Sequence, residues 1–486
     1  MSQDKQKPFS GVLIQYSSSR FFRLVLGAVT VILRPRLLGP DQYGIWKLFE
    51  IIPLYASYLH FGLRDAMRFF IPAYLSKNDY DKVAVIKETV FTTSLFINLF
   101  LSCLLVILGV QKGFSIEVRV GFFVMALMIL LLFMVEYYIA VLRAYENFGL
   151  IAASTYLNAG SLLVLTVPML YFWKLYGLYI TILSAYAITL GFLSLKQHIH
   201  IRVNIDNRSL RELFVKGAPI MLSDFTVLLI TTSDRVIVSS LLGNRALGYY
   251  GIGILIVTFL MQIPGTAREI MEPRLMRVLE TTSSEQISND YLLSPLINTS
   301  YLMPFLIGPV FILTPVLIPL ILPHYVNGII PAQILSLGTY FLSLAYVPRT
   351  MIVANNLQLK VATILPVILA FNVVVSFMLV RHGLGLEGAA IGSSMAFFVL
   401  FVTLIIVLKR GTKWRCDDWK SHIVGMCLPF PLMCLCLAIL YSVCPLFISS
   451  RILCAVVIML LLLIAMYIIH AWACRRFRLL KSIRIT

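Results

Sequence analysis

Charge is what this 486-residue sequence has least of: Asp, Glu, Lys and Arg make up 13% of it, against 59% hydrophobic residues. That leaves too little polar surface to cover a soluble globule of this size. No polar stretch between apolar runs is long enough for an additional domain. A G-x-x-x-x-G-K-[ST] phosphate loop is missing, which excludes nucleotide hydrolysis by that route. Histidine is sparse, and His60, His198, His200 and His324 stand without a catalytic neighbour in sequence. Of eight cysteines only Cys103 precedes residue 400, while Cys416, Cys427, Cys434, Cys436, Cys444, Cys454 and Cys474 crowd the C-terminal end. None has metal-ligand spacing with histidine, so neither a metal nor any other cofactor is expected. The cysteines read as small packing residues, with lipidation or redox chemistry as the alternative. Asp79-Tyr80-Asp81 resembles the acidic pair of metal-dependent sugar transferases, but three residues are weak evidence and a solvated inner loop is the better account.

What is present in quantity is the apolar run of about twenty residues, the length of a membrane-crossing helix. Short alternating segments, the mark of a barrel, are not the pattern. The runs predict an all-α integral membrane protein of about fourteen transmembrane helices. Spans are expected near 10–33, 45–63, 89–110, 119–142, 151–173 and 176–195, then near 217–242, 247–267, 294–322, 330–354, 361–381 and 387–408. A last pair falls near 422–446 and 451–473. The expected organisation is a six-helix lobe over 1–200, a second over 201–415, and a helix pair with a basic cytoplasmic tail over 416–486. The first run lacks a small-residue cleavage site followed by soluble sequence, and reads as a retained helix.

The net charge of +18 could suggest nucleic acid, but the basic residues lie between the spans. Counting from a cytoplasmic N-terminus, 28 of the 40 Lys and Arg fall in inner segments, and only nine fall outside, among them Arg34, Arg36 and Lys112. By the positive-inside rule both termini are cytoplasmic. The charge then serves topology and attraction to anionic lipid, and no nucleic-acid partner is expected.

An internal repeat relates the halves. At an offset of 204, Leu37-Leu38-Gly39 with Gly44 falls on Leu241-Leu242-Gly243 with Gly248. Ser19-Arg20-Phe21 falls on Ser223-Asp224-Phe225, and Arg64-Asp65 with Met67 on Arg268-Glu269 with Met271. Asn158 and Gly177 are echoed more loosely by Asn372 and Gly388. Six spans per repeat is an even number, so the lobes are parallel, an arrangement suited to alternating access.

Charge inside a membrane costs several kcal/mol unless it faces water or a partner. Tyr16, Arg20, Arg23, Gly27 and Arg34 fall within about 40° on the first helix, a cationic stripe that cannot face lipid. In the seventh span Asp224, Thr231 and Arg235 share a face, and Asp234 is displaced by roughly 80° or more. Cavity-lining candidates are therefore Tyr16, Arg20, Arg23, Arg34, Asp224 and Arg235, with salt bridging between the two helices as the structural alternative. Glu50, Glu136 and Asp234 are the carboxylates that could couple to an ion, or serve helix packing. Arg64, Asp65, Arg268 and Glu269 sit at inner helix ends, either as a cytoplasmic gate or as snorkelling and capping residues.

The segments LLGPDQYGIW with FGLRDAMRFF, GAPIMLSDFTVLLITTSDRVIVSSLLGNRALGYYGIG, and GLEGAAIGSS near 385 resemble bacterial polysaccharide and O-antigen flippases. These belong to the multidrug, oligosaccharidyl-lipid and polysaccharide exporter superfamily. The resemblance spans nearly the whole chain. It implies a non-enzymatic transporter in the bacterial cytoplasmic membrane that moves undecaprenyl-diphosphate-linked oligosaccharide outward, driven by an ion gradient, with other polysaccharide-assembly proteins as partners. It also implies cationic residues lining a cavity, matched by Arg20, Arg23 and Arg235. Arginine suits a lipid diphosphate because its forked donors match the anion. Tyr16, Trp46, Tyr249 and Tyr250 are expected either to stack on sugars or to anchor at the membrane interface. The alternatives are an ion-coupled exporter of small molecules and, from another class, a membrane glycan polymerase or ligase, which needs a larger outer loop than the roughly dozen residues available here.

Overall fold

The computed structural model describes residues 9–197, 202–278, 289–355, 357–411, 426–447 and 450–477. No strand occurs among them, as expected for a chain whose backbone donors and acceptors must be satisfied without water. The helices are α1 (Phe9–Phe49), α2 (Ile51–Ala56), α3 (Leu63–Leu75), α4 (Tyr80–Val110), α5 (Ile116–Ala144), α6 (Phe148–Lys196), α7 (Asn207–Ile230) and α8 (Ser233–Leu242). They continue with α9 (Asn244–Leu260), α10 (Gln262–Val278), α11 (Ser294–Ile321), α12 (Ile329–Ala354), α13 (Gln358–Leu379), α14 (Gly385–Gly411), α15 (Pro429–Phe447) and α16 (Arg451–Phe477). Among the described residues nine helical stretches are long and apolar enough to cross a membrane. Two of them, Phe148–Lys196 and Gln358–Gly411, run 49 and 54 residues, each enough for two crossings of about twenty. The class is therefore as expected, although these helices do not by themselves count out to fourteen.

The repeat reappears in the backbone. Gly39 interrupts α1 at φ 73°, ψ 169°, and Gly243, its counterpart 204 residues on, separates α8 from α9 at φ 85°, ψ 173°. That region of conformational space is essentially closed to residues with a Cβ. The looser repeat has a counterpart too. Lys174 breaks α6 at φ 47°, ψ −120°, and Gly385 takes φ 52°, ψ −131° at the start of α14. Three residues beyond each break a glycine allows close contact inside the hairpin: a Cβ on Gly177 would collide with the Met169 carbonyl, and one on Gly388 would crowd Leu379.

Contacts divide the chain into two compact units, Met1–Leu228 and Leu229–Thr486. The division falls inside α7, later than the change of lobe read near residue 200 from hydropathy. The first part of α7 is held in the N-terminal unit: Gly217 meets Gly62 backbone to backbone where any Cβ would clash, and Phe225 packs on the Tyr55 and Tyr58 rings at 5.8 and 5.7 Å. The segment before α7 is tied down as well. The Asn204 and Asp206 amides donate to Thr92 Oγ1 and Thr89 Oγ1 on α4, both at 3.1 Å. The Asp206 carboxylate then caps α7 by accepting from the Ser209 amide at 2.8 Å. Elsewhere in this unit α1 packs on α6, and α4 on α5 through a cluster of Phe91, Phe133 and Tyr137. The segment between the second and third predicted spans contains α3, an amphipathic helix that hydropathy alone does not reveal.

In the C-terminal unit α12 is the most enclosed helix and packs along α14. The final pair belongs to this unit. Leu462 of α16 fills the space over Gly308 of α11, Tyr441 of α15 meets Phe311 edge-on, and Tyr340 donates to the Met426 carbonyl at 2.8 Å. The six described cysteines are free, and Cys444 and Cys454 are buried in that pair, consistent with packing.

Two outcomes test this account. Gly39→Ala and Gly243→Ala should each destabilise the detergent-solubilised protein by about 1–3 kcal/mol, read as a lower thermal midpoint, whereas Lys174→Gly should raise the midpoint; an unchanged midpoint with alanine at both glycines would contradict the backbone reading. The Ser209 hydroxyl and amide hold the Asp206 carboxyl below the usual carboxylate range. A lowered value in the folded state means the cap is complete above the ordinary range and is lost as pH falls through the lowered value. Amide exchange in the first turn of α7 should therefore accelerate on acidification, and Asp206→Ala should abolish that dependence.

Candidate functional site

The C-terminal unit carries its polar cluster at an interruption of a helix. The membrane-length stretch Asn207–Leu242 breaks at Thr231-Thr232, between α7 and α8. A broken helix frees backbone carbonyls, which in an apolar interior need new partners. Asn372 of α13 supplies one: its Nδ2 donates to the Ile230 carbonyl at 2.7 Å and to Ser233 Oγ at 3.2 Å. Ser376, one turn along α13, donates to Asn372 Oδ1 at 3.0 Å and so orients the amide.

Just past the break lies Asp234, 3% exposed. Its Oδ2 accepts from the Tyr250 hydroxyl at 2.6 Å and from Ser393 Oγ at 3.1 Å, and its Oδ1 accepts from the Arg235 amide at 2.8 Å. Arg235 is 8% exposed beside it. Three helices, α8, α9 and α14, thus meet at one buried carboxylate, carrying hydroxyl and amide groups of the kind that can hold it in either the proton-bound or the cation-bound state. No group of three or more His, Cys, Asp or Glu side chains with metal-binding geometry occurs among the described residues. Sequence reading had singled out Asp234 and Arg235, but not Tyr250 as their partner, nor Ser376 and Ser393 at all.

The N-terminal unit gathers cations and aromatic donors. Arg34 Nε is buried without a hydrogen-bond partner among the described residues, and its guanidinium stands 6.0 Å from the Trp46 ring. Trp46 Nε1 and the Tyr179 hydroxyl are likewise buried without a partner, and their rings lie 6.4 Å apart. Three buried donors without a hydrogen-bond partner therefore share one neighbourhood of α1 and α6, with the Glu50 and Glu117 carboxylates near enough to act on Arg34 and Tyr179 electrostatically. Close by, Lys47 is buried and its Nζ pairs with Glu50 Oε2 at 2.7 Å, so Glu50 is half of an ion pair and not a lone carboxylate. Gln42 donates to Glu117 at 3.0 Å on the same side.

The side chains of Tyr16, Arg20 and Arg23 lie outside the described residues, but their positions on α1 can be placed. Ser18 bonds the Tyr156 hydroxyl at 2.6 Å and Phe22 meets the Tyr156 ring at 5.1 Å, which fixes the face that α1 turns to α6. At 100° per residue the stripe positions lie about 150° round from that face. Asp224 sits half-buried on α7 in the N-terminal unit.

Trp46 and Tyr250 are repeat counterparts at the offset of 204, and both are buried, Tyr250 at 0% exposure. Neither presents a ring face for stacking on sugar, which corrects that expectation: the apolar packing of each unit takes up the ring. Tyr249 instead packs edge-on against Tyr325 at 6.2 Å.

Among the gate candidates, Arg64 donates to the Ser57 carbonyl at 2.8 Å and approaches Glu136 at 3.9 Å, while Asp65 lies 3.9 Å from His60. Glu136 keeps 41% of its side chain exposed in the protein and has Arg64 as its cationic neighbour. Arg268 and Arg349 flank the Tyr346 ring at 6.0 and 5.8 Å. The side chain of Glu269 lies outside the described residues.

Several solved structures share the fold. A lipid II flippase, MurJ, in an inward closed conformation aligns with a TM-score of 0.66 at 14% identity, covering 96% of this chain and all of that one. A multidrug resistance MATE family transporter of the MOP superfamily, in an inward-facing conformation, gives 0.62 at 14% identity over 80% and 94% of the two chains. A MOP superfamily transporter from Pyrococcus furiosus gives 0.59 at 13% identity over 82% and 95%. No curated protein matches the sequence. The sequence profile of a family described as polysaccharide biosynthesis protein matches residues 13–266, just over half of the chain, including the Arg34 and Asp234 neighbourhoods. The chain therefore belongs to the polysaccharide biosynthesis protein family and is a multi-span membrane protein with the fold of MATE and lipid II flippase transporters.

Proposed function

We propose that this protein is a flippase that carries an undecaprenyl-diphosphate-linked oligosaccharide across the bacterial cytoplasmic membrane for surface polysaccharide assembly, by alternating access. The observation that carries the reading is the cluster of buried, unpartnered donors on Arg34, Trp46 and Tyr179 in a unit whose first helix also bears Arg20 and Arg23. Buried donors without acceptors are rare in folded proteins and suit a ligand rich in acceptor oxygens. A lipid diphosphate is such a ligand: its anion meets the cations, its glycan stays hydrated, and its prenyl chain remains in lipid. Family membership points to polysaccharide as the cargo class, in preference to the small-molecule export suggested by the MATE likeness alone.

Drive is assigned to the C-terminal unit. Asp234, with Tyr250, Ser393 and the Asn372–Ser376 pair around it, is the group that takes up a proton or a monovalent cation. Arg235 beside it balances the carboxylate's charge when the ion leaves.

Cells lacking the protein should accumulate the complete lipid-linked repeat unit on the inner leaflet, detectable by mass spectrometry of extracted lipids with leaflet-selective labelling. An unpolymerised unit already on the outer leaflet would instead indict a polymerase or ligase. Single Arg20→Ala, Arg23→Ala and Arg34→Ala variants that still insert should lose about tenfold or more in flipping, the worth of one charged hydrogen bond; normal surface glycan from all three would sink the cavity assignment. In proteoliposomes Asp234→Asn should remove the response to an imposed proton or sodium gradient, and a retained response would show that coupling lies elsewhere.

A further inference from the structure

A cavity of about 460 Å³ opens at the inner end of the N-terminal unit, between α3, α4, the 204–206 segment and the start of α7. Its volume falls in the range of small-molecule sites, about 300–1,000 Å³. The transport reading makes no use of it.

Depth identifies what can enter. The apolar stretch of α4 begins near residue 89 and that of α7 near 217. Ile86 and Leu213, which form the cavity floor, therefore lie about 4.5 and 6 Å outside the hydrocarbon on helices rising 1.5 Å per residue. That is the depth of the lipid headgroups, roughly 5–7 Å on either side of a bilayer core. Exposed Phe214 and Val215 lie at the same level of α7, where acyl chains begin.

Lining chemistry narrows the class. Two cations, Lys82 and Arg208, and two carboxylates, Asp206 and Glu212, face the cavity, which leaves it without net charge. Asp206 is engaged in capping α7, Lys82 lies 3.8 Å from Asp79, and Arg208 donates to Glu212 at 3.4 Å, the last two being exposed pairs whose charges a ligand can share. Phe70 and Tyr74 stack with their rings 17° apart, and lysines already sit over them, Lys216 at 5.3 Å from Phe70 and Lys82 at 5.1 Å from Tyr74. With the aromatic faces taken, a quaternary ammonium has no cage, whereas a primary ammonium can donate to a carboxylate.

We propose that this cavity seats the headgroup of a zwitterionic phospholipid bearing a primary ammonium, of the phosphatidylethanolamine type. The phosphate lies against Lys82 and Arg208, the ammonium against Glu212, and the glycerol over Phe70 and Ile86. The site tethers the inner end of the N-terminal unit to the cytoplasmic leaflet, and it holds whatever cargo the protein carries.

The test is native mass spectrometry of the protein released from nanodiscs containing equal amounts of phosphatidylethanolamine and phosphatidylcholine. The unmodified protein should retain the ethanolamine lipid in preference. Lys82→Gln and Glu212→Gln should each reduce that adduct about two- to fivefold, as expected for exposed charge pairs. Lys77→Gln and Asp81→Asn, which alter charge beside the cavity without lining it, should leave it unchanged. Equal retention of both lipids overturns the proposal, as does an equal loss in the flanking variants. Displacement of the lipid by soluble phosphoethanolamine would also overturn it, by making the site one for a free solute.

Discussion

A helix inside a membrane can be interrupted only where other groups take up the hydrogen bonds it gives up, because no water is present to do so. Every functional feature of this protein is arranged around that constraint. Where the chain must turn at the membrane surface, at Gly39 and Gly243 or at Lys174 and Gly385, solvent and lipid headgroups can absorb the cost and glycine geometry suffices. At Thr231-Thr232 the break falls within a membrane-length stretch, and Asn372 has to close it from a neighbouring helix. That requirement places a polar side chain, its orienting Ser376 and the start of α8 in one buried spot, and Asp234 follows from it.

The two halves show how a duplicated architecture can be divided between tasks. Their backbone breaks correspond closely, yet α1 runs unbroken through Gly27 and Ala28, the counterparts of Thr231 and Thr232. Equivalent positions then carry donors beside charges of opposite sign: Trp46 beside Arg34, and Tyr250 donating to Asp234. Arg20 has Asp224 as its counterpart. The repeat keeps the turns, which backbone sterics restrict, while the side chains at equivalent buried positions differ.

The inner end of the N-terminal unit is built differently, from amphipathic and ion-paired pieces. α3, the tied segment before α7 and the meeting of Gly62 with Gly217 form a scaffold at headgroup depth. Its charges are exposed and individually weak as pairs. The final helix pair, by contrast, is joined to α11 and α12 by apolar packing around Gly308 and Tyr340.

By itself the sequence determined the class of the protein, because hydropathy and the scarcity of charge admit only membrane helices. It also determined the repeat, because Gly39 and Gly243 occupy a conformation that few other residues can take. It pointed to Asp234, Arg235 and Arg34, since a charge in an apolar run is conspicuous wherever the helix turns. Only the tertiary structure decided which residues serve those charges. Asn372, Ser376 and Ser393 are uncharged and ordinary in a helix, and they matter only because α13 and α14 bring them beside the break. It also showed Glu50 and Glu136 to have cationic partners, and Trp46 and Tyr250 to be packed away, because the direction of a side chain depends on which helices meet. The inner cavity could not be read at all in one dimension, since it is assembled from residues more than a hundred positions apart.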